Sequence, residues 1–180
     1  AFVPSPEEHT TTIMQLGFGA VIKILLNFKT AFWQSFADDI GFILSDEIIP
    51  TWWTQLPTES TLLTGWLGGP KAETLSAQSD EALLETALQS LAGIFNKTGA
   101  SLQEQLVHHK IICWHNNPYI KGGYSYNTIE SATAKKVLAG PVNNTMFFAG
   151  EAYYAGESQG TVEAALQSGL QVAKLLQSFL

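Results

Sequence analysis

The chain of 180 residues is 46% apolar and 14% charged, with a formal net charge of −7, so it has the length and apolar content to bury a sizeable core. Its nine basic residues are all lysines against 16 acids, a balance that excludes a basic, arginine-lined surface for nucleic acid. The single Cys113 excludes an intramolecular disulfide framework and points to a reducing compartment, the cytoplasm.

From the N-terminus, Ala1-Phe2-Val3-Pro4-Ser5-Pro6-Glu7-Glu8 has no basic flank leading into an apolar stretch, so no signal peptide is expected. Residues 15–29 read as one long strand, because Leu16, Phe18, Ala20, Ile22, Ile24, Leu26 and Phe28 are apolar at period two. The opposite face is mixed and carries Lys23. The apolar run from Phe18 to Phe28 is broken by Lys23 and Asn27 and is shorter than the ~20 residues of a membrane span. A soluble protein with no membrane partner is predicted. Short strands are expected at 40–44, 51–55, 62–67 and 106–114, punctuated by Pro50, Pro57 and Gly68-Gly69-Pro70. Together they predict an antiparallel or mixed sheet with one face covered.

A helix is expected over 80–95, with Ser79 as N-cap, Asp80 and Glu81 in the first turn and a stripe of Leu84, Leu88, Leu91 and Phe95. Further on, 145–150 reads as a short buried strand, and a second helix runs from about Gly160 to Ser178. Val162, Ala165, Leu166, Gly169, Ala173 and Leu176 lie along one side of it. Gly169 in mid-helix costs about 1 kcal/mol against alanine, and its place on that side predicts close approach to a strand. A composition shift near 127–136 marks the boundary between the sheet-plus-helix region and this strand–loop–helix unit.

Three places offer chemistry. Gly150, Gly156 and Gly160 either make simple turns or let backbone approach a ligand at the N-terminus of the last helix, where free N–H groups suit a phosphate or an anionic ring edge. Lys23 either faces solvent or is poised in a pocket. The aromatic run from Trp114 to Tyr126 either lines a cavity or plugs a core. Neither GxGxxG nor GxxxxGK[ST] occurs, so a complete dinucleotide or P-loop site is not encoded here. His109 and His115 share a strand face but stand roughly 20 Å apart, too far for one tetrahedral ion, so no metal site is expected. Cys113, between Ile112 and Trp114, reads as a buried inert thiol.

Three segments taken together resemble the C-terminal part of the flavin-containing amine oxidases, the family of monoamine and polyamine oxidases. Gly19-Ala20-Val21-Ile22-Lys23 with the downstream Phe32-Trp33 is similar to that family's glycine–VIK strand and Phe-Trp pair. Trp114 to Tyr126, WHNNPYIKGGYSY, resembles its W-x-x-D-P-Y-x-R-G-S-Y-S element. Phe147-Phe148-Ala149-Gly150-Glu151, then Gly160-Thr161-Val162-Glu163-Ala164-Ala165 and Ser168-Gly169, resemble FFAGE, GTVHGA and SG. Order and separations agree across nearly the whole chain.

The resemblance implies an α+β fold. Residues 1–128 would be the sheet-plus-helix part of a substrate-binding domain, and 129–180 the closing strand–helix of a Rossmann-like FAD-binding domain. It implies that Lys23 holds a water beside the reactive nitrogen of FAD and that Trp114, Tyr119 and Tyr124 wall the substrate cavity. Gly150, Glu151, Gly160, Thr161 and Val162 would contact the cofactor. The parent would oxidise a small-molecule amine by hydride transfer to FAD and reoxidise with oxygen, giving imine and hydrogen peroxide.

Some positions depart from the family. Gly123 stands where covalent members carry cysteine, implying non-covalent FAD. Gly160 fills the place of a second cage tyrosine, which disfavours simple monoamines. Lys121 and Asn143-Asn144-Thr145 stand where the family often has arginine. Because family members are more than twice as long and begin with GxGxxG, the chain is expected to be a piece of a larger oxidase. Alone it would be inactive and free of FAD, with an uncovered apolar flank that favours a homodimer. Two alternatives stand beside this reading: a related desaturase or dehydrogenase acting on a larger apolar substrate, and a cofactor-free binding or assembly module.

Overall fold

The computed structural model describes residues 5–179; the opening four residues, half of the segment read above for a signal peptide, lie outside the described residues. The chain divides into two compact units. One is Ala20–Gly123, and the other joins the described parts of Ala1–Gly19 and Tyr124–Leu180.

In the first unit, strands β2 (Val21–Phe28), β3 (Phe42–Leu44), β4 (Thr51–Trp53), β5 (Leu62–Gly68) and β6 (Leu106–Cys113) form one sheet in the order β3-β4-β5-β2-β6. Every neighbouring pair is antiparallel. Strand β2 lies between β5 and β6 and sets the faces. Ile22, Ile24, Leu26 and Phe28 are fully buried, while Lys23, Leu25 and Asn27 on the other side are half-buried. Each such apolar side chain contributes about 1.5–3 kcal/mol on burial. Helices α2 (Pro70–Leu75), α3 (Asp80–Phe95) and α4 (Gly99–Gln105) bring Ala72, Leu83, Leu88, Leu91, Phe95 and Leu102 into the same core. Ser79 caps α3 as its sequence implies, its side chain accepting from the Ala82 N–H. Trp52, the largest fully buried residue, donates its indole N–H to the Ile49 carbonyl at 2.9 Å.

The second unit holds α1 (Glu7–Ile13), a two-stranded ribbon of β1 (Gly17–Phe18) with β7 (Ser125–Tyr126), α5 (Ser131–Leu138) and α6 (Val162–Gln177). Helices α1 and α5 pack together, and His9 joins them to the chain beyond α5, its Nε2 lying 3.1 Å from the Gly140 carbonyl.

Three expectations are corrected. Residues 15–29 are two strands rather than one: β1 pairs in the ribbon and β2 in the sheet, with the break at Gly19-Ala20. Alternation records which face a residue takes but not which partner its strand finds, so it runs on across the break. Residues 145–150 form no strand. Met146 makes a single bridge to Val142, closing a turn through Asn143 and Asn144 at φ 50° and 53°, and Phe147 and Phe148 are only half-buried. An apolar run needs a ladder partner to become a strand, and among the described residues only that bridge supplies one. Finally, α6 forms with Thr161 as its cap, but its expected core side is open. Val162 is 72% and Leu166 64% exposed, the buried positions are Ala164 and Ser168, and a Cβ at Gly169 meets nothing within 4 Å. Among the described residues no strand approaches that glycine. No helix among the described residues is long and apolar enough to cross a membrane.

The face assignment of β2 is testable by neighbouring truncations. Ile24→Ala should cost about 3 kcal/mol, within the range for a buried isoleucine, and Leu25→Ala about 1 kcal/mol or less. Urea denaturation of the two variants checks this, and equal costs would contradict the register.

Candidate functional site

Period two places Lys23 on the face that helices α2–α4 leave open. Its cross-strand neighbours are Trp66 on β5 and Ile112 on β6, and the adjacent row carries Leu25, Thr64, Trp53 and Phe42. The Lys23 ammonium lies 5.4 Å from the centroid of the Trp53 ring, within cation–π range. Sequence reasoning missed Trp53 and Trp66. The available signal was the alternation of Thr51-Trp52-Trp53, which buries Trp52 and turns Trp53 to the open face, but its register against Lys23 depends on strand order.

Trp114 opens a 3-10 turn, Trp114–Asn116, directly after β6 and is half-buried. The loop that follows is organised by Asn117, whose Oδ1 accepts from the N–H groups of Tyr119 and Ile120. This residue stands at the aspartate position of the motif and makes the local turn such a side chain favours. Tyr119 is 96% exposed. Burial pushes the Cys113 thiol pKa up, with Asp80 adding to the effect, in keeping with an inert thiol.

In the second unit the Glu151 carboxylate ties Ser125, which follows Tyr124, to Gly160, which precedes Thr161 and Val162. Glu151 begins a 3-10 turn, and its Oε1 accepts from the Ser125 N–H at 3.0 Å. Its Oε2 accepts from the Ser125 hydroxyl at 2.7 Å and from the Gly160 N–H at 3.0 Å. Gln159 donates its Nε2 to Ser125 Oγ at 2.7 Å, and the Gly150 N–H donates to Ser168 Oγ of α6 at 3.2 Å. Glu151 therefore joins β7, its own turn and the entry to α6.

Gly160 has φ +80°, a conformation that glycine adopts without penalty. A Cβ there would stand 3.5 Å from Tyr124 Cβ, so positions 124 and 160 are neighbours, although only Tyr124, 55% exposed, carries a ring. Thr161 Oγ1 accepts from the Ala164 N–H at 3.1 Å, leaving the N–H groups of Val162 and Glu163 without intrahelical partners. The Gln159 Oε1 atom is buried and has no hydrogen-bond partner among the described residues.

Lys135 of α5 completes the framework. It is buried, donating to Tyr154 O at 2.8 Å and to Asn127 Oδ1 at 3.1 Å. Burial lowers its pKa below the usual lysine value, and the charge of Glu151 opposes that shift. Ser125, Gln159 and Lys135 were also missed, since their roles come from contacts between segments far apart in sequence. Among the described residues no three His, Cys, Asp or Glu side chains converge to hold a metal ion.

Comparison with known proteins places these features in context. The profile of the flavin containing amine oxidoreductase family matches residues 1–177. Lysine-specific histone demethylase 1 homolog 3 of Arabidopsis thaliana is 31% identical over 94% of this chain and 11% of its own length. Peroxisomal N(1)-acetyl-spermine/spermidine oxidase of Bos taurus is 27% identical over 96% of this chain and 38% of its own length. Lysine-specific histone demethylase 1 homolog 1 of Oryza sativa subsp. japonica is 30% identical over 96% of this chain and 21% of that protein. The chain thus spans well under half the length of these curated relatives. It belongs to the flavin-containing amine oxidoreductase family.

Two outcomes check the second unit. Glu151→Gln places an amide donor against a donor whichever way it turns, and should cost about 2 kcal/mol, read by urea denaturation. Lys135 has the opposite pH signature from a carboxylate. With its folded pKa below the unfolded value of 10.5, the unfolded chain binds more protons in the window between the two, so stability rises with pH there. Lys135→Met should remove that rise, seen as a flatter urea midpoint on approaching pH 10.5 from below than in the unaltered chain.

Proposed function

We propose that this chain is the C-terminal portion of an FAD-dependent amine oxidase acting on a small-molecule amine, with residues 1–128 serving the substrate-binding domain and 129–180 closing the FAD-binding domain. The observation that carries the site assignment is Lys23, held beside Trp53 on the sheet face opposite Ile22 and Ile24. The related desaturase or dehydrogenase and the cofactor-free module gain no support from the relatives.

The residues present suit FAD. Gln159 Oε1 is a buried acceptor in want of a donor, and the first turn of α6 has donors in want of an acceptor. A flavin's polar ring edge and ribityl hydroxyls offer both. Gly150, Glu151, Gly160, Thr161 and Val162 would hold it there without a covalent bond, since Gly123 supplies no thiol. When bound, FAD would take a hydride from the amine and pass two electrons to oxygen, giving imine and hydrogen peroxide. This chain's part is to fix the geometry. The three hydrogen bonds received by Glu151 hold the α6 entry, and the helix N-terminus favours negative charge on a ring edge placed against it. Lys23 would hold a water and present a positive charge, and Trp114, Tyr119 and Tyr124 would wall the substrate cavity. The single cysteine supports a reducing compartment, the cytoplasm.

The experiment is Lys23→Met in the full-length oxidase, which keeps side-chain length but removes charge and donors. Stopped-flow should show flavin reduction by the amine little changed and reoxidation by oxygen slowed at least about tenfold, or roughly 1.4 kcal/mol of barrier. Equal slowing of both half-reactions would make the lysine structural. For this chain by itself, the exposed Val162, Leu166 and Leu170 on α6 support self-association. Light scattering should report a dimer, and a clean monomer at high concentration would reject it.

A further inference from the structure

We infer that Trp53 is a positioning residue for Lys23: its indole face holds the ammonium at a fixed place on the open sheet face without neutralising it. The inference rests on the oxidase reading of Lys23 for its functional half only. Among the described residues the ammonium's partner is this ring, 5.4 Å from its centroid. A carboxylate partner would also fix the lysine but would cancel its field. An aromatic face attracts a cation through its quadrupole and leaves the full charge in place, which is what stabilising oxygen as it gains electrons requires.

The local structure explains how a lysine on β2 reaches a tryptophan two strands away. Adjacent strands are about 4.8 Å apart, so the side chain must cross β5, where Thr64 and Trp66 face the same side. Thr64 is short and buried. Trp66 is bulky, yet its ring lies along its own strand over Gly68, where an added Cβ would come within 2.6 Å of it. Glycine at 68 therefore lets the Trp66 ring lie in that direction. Behind Trp53 stands Phe42, its register partner on β3, with ring centroids 6.2 Å apart. The order Phe42, Trp53, Lys23 places a rigid aromatic support under one flexible cation.

Two measurements test this. In this chain, reductive ¹³C-dimethylation keeps the lysine charges and gives one NMR signal per lysine, with Lys23 assigned by its loss in Lys23→Met. The Lys23 signal should be shifted upfield by the ring, move to the position of exposed lysines in Trp53→Leu, and stay shifted in Trp53→Phe. Lys97, which lies over Phe32 at 5.4 Å, should not move in any Trp53 variant. A Lys23 signal unmoved in Trp53→Leu overturns the contact.

In the FAD-loaded full-length oxidase, Trp53→Leu should slow reoxidation by oxygen roughly two- to fivefold, with Trp53→Phe close to the unaltered enzyme. Trp53→Leu should add nothing in a Lys23→Met background. Equal slowing in both backgrounds means that Trp53 acts independently of the lysine, and overturns the inference. If Lys23→Met leaves reoxidation unchanged, the oxidase role of the lysine falls and the functional half of this inference falls with it. The NMR arm then still decides whether the ring holds the ammonium.

Discussion

Burial of Ile22, Ile24, Leu26 and Phe28 on a single strand constrains everything else in the sheet unit. Strand β2 is hydrogen-bonded on both edges, to β5 and β6, so its register fixes theirs. A slip of one residue would exchange the four buried side chains for Lys23, Leu25 and Asn27. That exchange would lose several kilocalories of apolar burial and bury a charge besides, so the alternative register is closed. The position of Lys23 is therefore a consequence of core packing rather than of any contact the lysine itself makes. Its ring partner refines a placement already set by its neighbours.

The second unit is organised by polar contacts instead. Its last helix buries only Ala164 and Ser168, too little apolar surface to fix its entry. That task falls to Glu151, which receives Ser125 and Gly160 donors, and to Ser168, whose hydroxyl takes the Gly150 N–H. Hydrogen bonds are directional where apolar contact is not. A loop that must present backbone groups to a ligand at defined positions is better held by them. Such a network also depends on all its members, because a half-satisfied buried carboxylate costs more than an apolar contact left unmade.

How much of this was legible in the sequence follows from the range of each signal. The 80–95 helix and its Ser79 cap were readable because cap, charge and stripe all lie within one segment. So were the four short strands and the alternation through Ile22 to Phe28. The split at Gly19-Ala20 was not, since pairing partners are non-local. Helices α1, α2, α4 and α5, at six to eight residues each, are too short for a period of 3.6 to stand out. The open flank of α6 and the missing strand at 145–150 share another cause. Both patterns describe apolar faces, and a sequence states that a face is apolar without stating that a partner covers it. Lys23 was singled out by its place in an apolar strand as well as by motif resemblance, and Glu151 by motif resemblance. Trp53, Ser125, Gln159 and Lys135 were not, because they matter only through contacts across the fold.

The two lysines at these sites show why residue type alone could not have assigned their roles. Lys135 is buried among neutral acceptors, the Tyr154 carbonyl and Asn127 Oδ1, with Glu151 as the nearby opposite charge. Its burial weakens its hold on the proton, and its hydrogen bonds are spent on tying α5 to the Glu151 turn. Lys23 is half-exposed, and its ammonium meets an aromatic face. An indole neither accepts the proton nor cancels the charge, so the cation keeps its field for whatever approaches the open face. One lysine is spent as a structural tie by its surroundings, and the other is held ready by them. The difference lies in what the fold places within about 6 Å of each nitrogen, the range over which a ring or a carboxylate acts on a cation.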